Sequence, residues 1–176
     1  MTTYVFGGGC FWCLDAVYRR IKGVTKVESG YSGGHLLDSP NYYQVMTGAT
    51  GFAETVRVSF DEAIIPSETI LDIFFLIHDP TSLNRQGADV GTQYRSIMLY
   101  ADESQETAFT QAITRAQKIW QDPIVTELMP LNMFYIAEDE HQDYFSKNPE
   151  AGYCQIVIEP KVTKARSAYK QWFKEE

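Results

Sequence analysis

Two cysteines, three residues apart, follow a run of glycines near the start of the chain. The sequence from Gly7 to Cys13 reads GGGCFWC. Glycines allow a tight turn, and if a helix begins after this turn, Cys10 lies at its N-terminus. There the unpaired N–H groups and the helix dipole stabilise a thiolate, the nucleophilic form of cysteine. The spacing predicts a reactive thiol at Cys10, the alternative being a buried cysteine that packs as a small hydrophobe.

A carboxyl group on a predicted strand is the second candidate for chemistry. Residues 54–60 read ETVRVSF, so Glu54 shares one strand face with Val56 and Val58. If that face points to the core, the carboxyl loses water and its pKa rises. An acid of this kind can donate a proton near pH 7. Glu54 is therefore a candidate general acid, unless it lies at the strand end and turns to water.

A polar loop is the third unusual segment. Residues 84–96 read NRQGADVGTQYRS, which is rich in hydrogen-bond donors and contains two glycines. Loops of this kind carry function more often than the elements they join. The alternative is an ordinary surface loop that leads into a strand.

The elements that must position these residues alternate between strands and helices. Strand patterns cover residues 2–6, 24–31, 54–60, 94–100, 123–129 and 134–136, and helix patterns cover 10–22, 42–45, 66–77, 104–120, 138–145 and 164–173. A long loop through Gly34 and Asp38–Pro40 separates the second strand from the third. The order predicts an α+β fold, a two-layer α/β sandwich with a mixed sheet and a ferredoxin-like (α-β plait) core.

Composition excludes several classes of protein. The chain has 176 residues, which fits a single catalytic domain over residues 1–176. Its net charge of −8 argues against nucleic acid as a partner, and no apolar run reaches the ~18 residues of a membrane span. The N-terminus lacks the basic and apolar regions of a secretory signal, so we expect a cytoplasmic monomer. Three cysteines do not suggest a disulfide framework.

Six segments, taken together and in order, resemble the A-type peptide methionine sulfoxide reductases. They span residues 4 to 154 and are Gly9–Trp12, Gly30–Gly34, Pro40–Tyr42, Gly51–Glu54, Arg85–Ser96 and Ala137–Gln142 with the following Tyr144 and Lys147–Pro149. The resemblance implies a two-layer α/β sandwich around a mixed sheet. It also implies a peptide-methionine (S)-S-oxide reductase, which repairs oxidised proteins.

The resemblance implies roles for the residues that match. The substrate is the S epimer of methionine sulfoxide, free or within a protein, and Cys10 attacks its sulfur while Glu54 protonates the oxygen. Product methionine leaves Cys10 as a sulfenic acid, which a second thiol can condense to a disulfide. A thioredoxin-like protein then supplies electrons, and the reaction needs no cofactor and no metal.

Other matching residues would line the substrate site. By resemblance, hydroxyl groups hydrogen-bond the developing charge on oxygen, two aromatic rings hold the S-methyl group, and two polar residues support the site. In that order they are Tyr42 and Tyr94, Phe11 and Trp12, and Asp89 and His141.

The chain departs from the family pattern at three positions. Cys13 stands where the common motif has glycine, and Phe52 stands where a histidine is common. Many members carry two C-terminal cysteines, but only Cys154 is present here, on a glycine-containing segment expected to be flexible. Either Cys154 or Cys13 could pair with Cys10, directly or by relay. We favour Cys154 as the resolving cysteine, with Cys13 as the second participant.

Two other classes of protein share parts of this pattern. A strand followed by Cys-x-x-Cys at a helix start is typical of thioredoxin-like dithiol oxidoreductases, although Phe11 and Trp12 are unusual between such cysteines. A zinc-binding module could use Cys10, Cys13, Cys154 and His141 as four ligands, although structural zinc sites usually come as two close pairs.

Overall fold

A six-stranded sheet organises the molecule, whose computed structural model describes residues 1–35 and 40–175. The strand order is β7-β6-β1-β3-β2-β8, and neighbours are antiparallel except for the parallel pair β6–β7. The strands are β1 (Thr2–Gly7), β2 (Val24–Ser32), β3 (Ala53–Phe60), β6 (Ile97–Tyr100), β7 (Glu127–Pro130) and β8 (Phe134–Ile136). A separate hairpin pairs β4 (Arg85–Gln86) with β5 (Asp89–Val90). The predicted α+β fold with a mixed sheet is confirmed, whereas the ferredoxin-like plait stays a prediction.

Helices cover the sheet and complete the core. They are α1 (Phe11–Tyr18), α2 (Tyr42–Met46), α3 (Ser67–Leu76), α4 (Glu103–Gln117), α5 (Tyr144–Lys147) and α6 (Glu159–Ala168). Seven of the eight residues of α1 are buried, so this helix is held firmly in the core. In α4 the buried positions Phe109, Ala112 and Ala116 recur at helical spacing. No helix in the described ranges is both long and apolar enough to cross a membrane.

The strand register places aromatic side chains on the main core face. Phe6 pairs with Val56 and Tyr4 with Val58 across β1 and β3, and all four are buried. The Phe6 ring stacks on Phe74 of α3 at a centroid distance of 4.6 Å. Burial of one such ring contributes roughly 1.5–3 kcal/mol to stability. The opposite sheet face carries a smaller cluster of Val5, Ala53, Ile97 and Leu99. Because β3 is covered on both faces, its side chains are largely removed from water.

Three predicted elements have different bounds in the structure or are interrupted. Helix α1 ends at Tyr18 and not at Lys22, and the strand predicted from Tyr94 begins at Ile97 because Thr92–Tyr94 forms a 3₁₀ turn. The helix predicted over residues 138–145 is broken, because Asp143 has a positive φ of 52°. Its amide instead donates to the Asp15 carboxylate at 2.8 Å. Positions 38 and 39 of the predicted loop lie outside the described residues.

The C-terminal helix starts much earlier than the predicted Lys164. The chain is helical from Gly152, passes through a π-helical turn at Cys154–Ile158 and continues as α6 to Ala168. Pro160 lies in the first turn of α6 and has no N–H, so it cannot donate to the carbonyl four residues earlier. The wider turn before it accommodates this missing bond. The segment around Cys154, expected to be flexible, is therefore helical.

Candidate active site

Cys10 lies where β1 gives way to α1, as the sequence predicts. Gly8 and Gly9 form the turn between them; a Cβ atom on Gly8 would lie 2.5 Å from the His78 ring, so only glycine fits. The Gly9 amide donates to the Tyr94 carbonyl at 3.0 Å, which fixes the turn against the polar loop. Cys10 is the N-cap residue of α1, and 8% of it is exposed. Its thiol therefore lies just below the surface.

Glu54 is buried beside this thiol and does not turn to water. Only 1% of the residue is exposed. The Phe11 amide donates to Glu54 Oε1 at 3.0 Å, whereas the buried Oε2 atom has no hydrogen-bond partner. Burial raises the pKa of Glu54 to about 8, against the opposing effects of the Phe11 amide and the Cys10 thiol. The carboxyl is therefore mainly protonated at neutral pH.

The Cys10 thiol is also neutral, which corrects the expectation of a stabilised thiolate. Burial raises its pKa well above the ordinary value, and any negative charge on Glu54 or Cys13 would raise it further. The Trp12 amide at the helix N-terminus lowers the pKa, as predicted, but burial outweighs this effect. In the substrate-free protein the thiol and the carboxyl are thus two neutral proton donors in contact with the same small space.

Aromatic rings form a wall next to Cys10. The Trp12 indole lies flat against Tyr144, with ring centroids 3.7 Å apart, and its Nε1–H donates to His141 Nδ1 at 3.1 Å. His141 in turn stacks on the Tyr42 ring at 4.4 Å and lies 5.5 Å from the Phe11 ring. We call these five residues the aromatic wall. It offers an apolar surface whose ring orientations are fixed by stacking and by one hydrogen bond.

The hydroxyls of Tyr42 and Tyr94 remain protonated in this setting. Burial raises both pKa values above the ordinary tyrosine value, and the nearby Glu54 and Cys10 raise them further. The Tyr94 hydroxyl donates to Met46 Sδ at 3.4 Å. The site therefore contains two phenolic donors within electrostatic reach of Cys10, one of them engaged by a thioether.

Asp89 and Cys13 both interact with the hydroxyl of Tyr153, the residue that precedes Cys154. The Tyr153 hydroxyl donates to Asp89 Oδ2 at 2.7 Å, which links the start of the C-terminal helix to the polar loop. Cys13 is almost fully buried, and burial raises its pKa to about 11, while the Lys161 charge and the Tyr153 hydroxyl lower it. Cys13 is thus a neutral thiol close to Cys10.

Cys154 is buried in the same core as Cys10 and Cys13. It is 0% exposed within the π-helical turn, and all three cysteines are free thiols. Among the described residues, no hydrogen bond or charge contact joins Cys154 to Cys10. The structure thus gathers the other eight predicted site residues around Cys10, while Cys154 has no such contact with Cys10 in the described part of the chain.

Comparison with known proteins identifies the family. A family model described as "Peptide methionine sulfoxide reductase" matches residues 2–173. The chain belongs to this family.

Curated members of the reductase family match over nearly the whole chain. The protein named "Peptide methionine sulfoxide reductase MsrA" from Arthrobacter sp. (strain FB24) is 59% identical over 172 residues, which is 98% of both chains. The protein of the same name from Saccharolobus solfataricus is 52% identical over 164 residues, covering 93% of this chain and 92% of the relative. The similarity therefore includes every segment that builds the site.

Solved reductase structures share the fold. The reduced form of Mxr1 from Saccharomyces cerevisiae is 34% identical with a TM-score of 0.80, covering 87% of this chain and 88% of that one. Methionine sulfoxide reductase A of Corynebacterium diphtheriae is 33% identical with a TM-score of 0.73, covering 85% and 76%. These neighbours confirm the predicted resemblance and the mixed α+β architecture.

Glu138 is a part of the reductase site to which the sequence analysis gave no role. Its Oε1 accepts from the Tyr31 hydroxyl at 3.0 Å and its Oε2 from the Tyr42 amide at 3.1 Å. The side chain thereby ties the first turn of α2 to β2. Glu138 lies within a segment that carries the family resemblance, which was the available signal, but its partners are distant in sequence.

The surroundings of His141 argue against the zinc-binding alternative. Among the described residues, the one group of three metal-ligand types that converges is His141 with Glu138 and Glu140, not with the cysteines. Because His141 Nδ1 accepts from Trp12, the neutral ring carries its proton on Nε2. That buried N–H has no partner and lies 4.0 Å from each carboxylate. A metal at Nε2 would have to displace this proton.

Phe52 packs away from the aromatic wall. It is buried, and its ring meets Tyr135 of β8 edge-on with centroids 5.7 Å apart. A Cβ atom on Gly34 would overlap the Phe52 ring, so the ring also fills space next to the loop after β2. The aromatic substitution is therefore absorbed by local packing at this end of the sheet.

Proposed function

We propose that this chain reduces the S epimer of methionine sulfoxide, free or within proteins, to methionine. The observation that carries the proposal is the carboxyl of Glu54 beside Cys10. One carboxyl oxygen is held by the Phe11 amide, and the other is buried, unpartnered and protonated at neutral pH. A sulfoxide oxygen is a strong hydrogen-bond acceptor, and it would satisfy this group. Family membership supports the same reaction.

The first chemical step transfers the sulfoxide oxygen to Cys10. The Cys10 sulfur bonds to the substrate sulfur as the sulfur–oxygen bond breaks, and Glu54 protonates the oxygen as it departs. The departed oxygen, as water or hydroxide, then attacks the Cys10 sulfur, and the sulfur–sulfur bond breaks to release the thioether of methionine. The thiol proton of Cys10 passes to the Glu54 carboxylate, so the acid is restored. The products are methionine and a Cys10 sulfenic acid, with two electrons moved from the thiol to the sulfoxide.

Neighbouring side chains would orient the substrate for this step. We assign the hydroxyls of Tyr42 and Tyr94 to the developing charge on oxygen, for which Tyr94 must release Met46. We assign Phe11 and Trp12 to the S-methyl group; the Trp12 ring is partly exposed, whereas Phe11 is fully buried, so Phe11 meets the methyl group only if the site opens. His141 fixes the Trp12 ring through Nδ1, and Asp89 supports the opposite side through Tyr153.

A second thiol would then remove the sulfenic acid. We propose Cys154 as the resolving cysteine and Cys13 as the thiol that passes the disulfide on, since Cys13 lies near Cys10 and near the surface residue Lys161. A thioredoxin-like dithiol protein would supply the electrons. Mxr1, the yeast protein whose reduced form is 34% identical, has also been solved in complex with Trx2.

The proposal extends to the domain, the oligomeric state and the cellular compartment in which the reaction takes place. We propose that residues 1–176 act as one catalytic domain, as a monomer in the cytoplasm, without a cofactor. A reducing compartment suits three free thiols of which none is paired in the structure. In this setting the chain would repair oxidised proteins under oxidative stress.

Turnover of the separated epimers tests the proposal. The R and S epimers of N-acetyl methionine sulfoxide are supplied separately with dithiothreitol, and the thioether product is quantified. We expect reduction of the S epimer only, and none with Cys10→Ser. Equal use of both epimers, or no turnover by protein whose thiols are shown to be reduced, would contradict the proposed function.

A further inference from the structure

We propose that a groove running from Cys10 along α6 binds an extended polypeptide that carries methionine sulfoxide, and that its lysines select acidic side chains near the oxidised residue. The inference rests on the proposed function and names the substrate class of the same site. We call this surface the client groove. It comprises two adjoining hollows.

The first hollow opens directly onto the nucleophile. It has a volume of about 350 Å³, and its lining includes Cys10, Asp89 and Tyr153 together with Lys161 and Lys164 of α6. A single methionine side chain does not need the far end of this space, because its sulfur must lie at Cys10. The remaining volume is available to residues that flank the oxidised methionine in a chain.

The second hollow extends the first across α3 and α4. It has a volume of about 490 Å³ and shares Leu76, Trp120 and Lys164 with the first. Ile119 lines it and is 84% exposed, although it is a large apolar residue. The Trp120 ring is fixed, since its Nε1–H donates to the Phe75 carbonyl at 3.1 Å. An exposed isoleucine beside a fixed indole is a surface that an apolar side chain of a bound segment can cover.

The charges in the client groove favour an acidic client. Lys161 and Lys164 form no ion pair within the described ranges, although the chain as a whole carries −8. Of the carboxylates in the two hollows, Asp72 pairs with Arg115, whereas Asp79 and Asp89 accept hydrogen bonds from the uncharged hydroxyls of Thr81 and Tyr153, which add no positive charge. Two ammonium groups without an ion pair among the described residues, in the hollow that Cys10 also lines, complement carboxylates of a substrate.

Peptide kinetics with dithiothreitol as reductant test this inference. The substrates are two otherwise identical peptides with methionine-S-sulfoxide at the centre, flanked by Glu or by Lys, and N-acetyl methionine-S-sulfoxide as the small substrate. In the parent protein, we expect the Glu peptide to exceed the Lys peptide in kcat/KM. Lys164→Glu should lower kcat/KM for the Glu peptide about fivefold and raise it for the Lys peptide.

Matched variants separate the client groove from general surface effects. Lys170→Glu makes the same charge change at an exposed position outside the groove, and Ile156→Asp matches Ile119→Asp, since Ile156 is 76% exposed. Ile119→Asp should reduce kcat/KM for both peptides about threefold or more, whereas the two controls should change neither. All four variants should retain the parent rate with N-acetyl methionine-S-sulfoxide.

The outcomes separate a failure of the client groove from a failure of the proposed reaction. Retained turnover of the small substrate with unchanged peptide preference in Lys164→Glu would overturn the client groove and leave the proposed function intact. A defect confined to thioredoxin-driven recycling, absent with dithiothreitol, would assign the surface to the reductant and likewise overturn the proposal. Loss of the small-substrate activity in the parent protein would instead contradict the proposed function itself.

Discussion

Glu54 can act as an acid because its carboxyl is protonated at neutral pH and is buried away from water. Its strand is covered on both faces, and the Phe11 amide holds one oxygen in place. Burial raises the pKa of Glu54 to about 8, and burial also keeps the Cys10 thiol protonated. The net reaction moves one proton from the thiol to the sulfenic oxygen, so a neutral pair can perform it without uptake of a proton from solvent.

The protonation of Glu54 predicts the pH dependence of the oxygen-transfer step. Because the acid loses its proton as pH rises through about 8, the single-turnover rate of methionine release should decline above that pH. Glu54→Gln should lower this rate roughly 10²- to 10⁴-fold at pH 7 and remove the alkaline decline. Stopped-quench measurements from pH 6 to 10 check both effects.

The matched control for Glu54→Gln is Glu140→Gln, which alters an exposed carboxyl. This variant should keep the parent profile. Alkylation of Cys10 by iodoacetamide should persist in Glu54→Gln, which would show an intact thiol. A variant that released methionine at the parent rate, with the same pH profile, would remove Glu54 from the acid role.

At the residue level, short sequence patterns predicted the reactive residues Cys10 and Glu54 but not the residues that hold them in place. The glycine turn before Cys10 and the alternation after Glu54 are visible in a few consecutive residues, and the structure places both as predicted. Glu138, Tyr153 and Met46 hold the site through partners 48 to 107 positions away in sequence. Contacts of that range depend on the register of whole strands, which a single sequence does not display.

The C-terminal helical segment determines what Cys154 can do. Gly152 and Pro160 favour a break in the sequence pattern, yet Pro160 occupies the first turn of α6, where its missing N–H is tolerated. Cys154 is therefore buried in a π-helical turn, and we expect that turn to open when Cys154 pairs with Cys10. A turn with wide hydrogen-bond spacing is a reasonable place for such local opening.

Serine variants of the two candidate resolving cysteines test the thiol relay. Cys154→Ser should release one equivalent of methionine per protein at the parent rate, because oxygen transfer needs only Cys10. Steady-state turnover with thioredoxin, thioredoxin reductase and NADPH should then fall strongly, since the sulfenic acid lacks its resolving partner. Quenched-flow and steady-state assays measure the two phases separately.

Cys13→Ser provides the comparison for Cys154→Ser. In Cys13→Ser a Cys10–Cys154 disulfide should still form and be detected by peptide mapping after one turnover, while its reduction by thioredoxin becomes slow. Full thioredoxin-driven recycling in Cys154→Ser, with a Cys10–Cys13 disulfide, would transfer the resolving role to Cys13.

Elements were predictable where a repeating pattern was long enough. The alternation over residues 54–60 matches β3 closely, and the helical spacing in 104–120 matches α4. Short elements were less predictable: Asp143 interrupts the helix expected over 138–145 because its amide binds Asp15, a residue on α1. Such a break follows from tertiary contact and not from local propensity.

On the scale of the whole molecule, two buried titratable groups oppose each other in the pH dependence of stability. Burial lowers the pKa of His78 to about 4, so the unfolded chain binds a proton below pH 6.5 that the folded chain does not. His78 therefore lowers stability as pH falls from 6.5 to 4. Glu54 acts the other way, because the folded chain keeps its proton up to about pH 8 while the unfolded chain releases it near 4.5.

Between pH 6.5 and 8 only Glu54 of this pair contributes, and the free energy of unfolding should fall with rising pH. The interval of about 1.5 pH units corresponds to a loss of about 2 kcal/mol at 1.36 kcal/mol per unit. Urea titrations of the reduced protein at pH 6.5 and 8 should detect this loss in the parent and in Glu140→Gln. In Glu54→Gln it should be largely absent, and an equal loss there would contradict the raised pKa.

The two edges of the sheet have a further consequence for a protein that handles damaged chains. Its outermost strands, β7 and β8, have four and three residues, and β7 ends at Pro130, which has no N–H to offer. Oxidised proteins that have lost their native packing expose apolar, strand-forming segments that pair readily with a free sheet edge. Two short edge strands, one of them ended by a proline, give those segments little to extend, so we expect the molecule to resist recruitment into their aggregates.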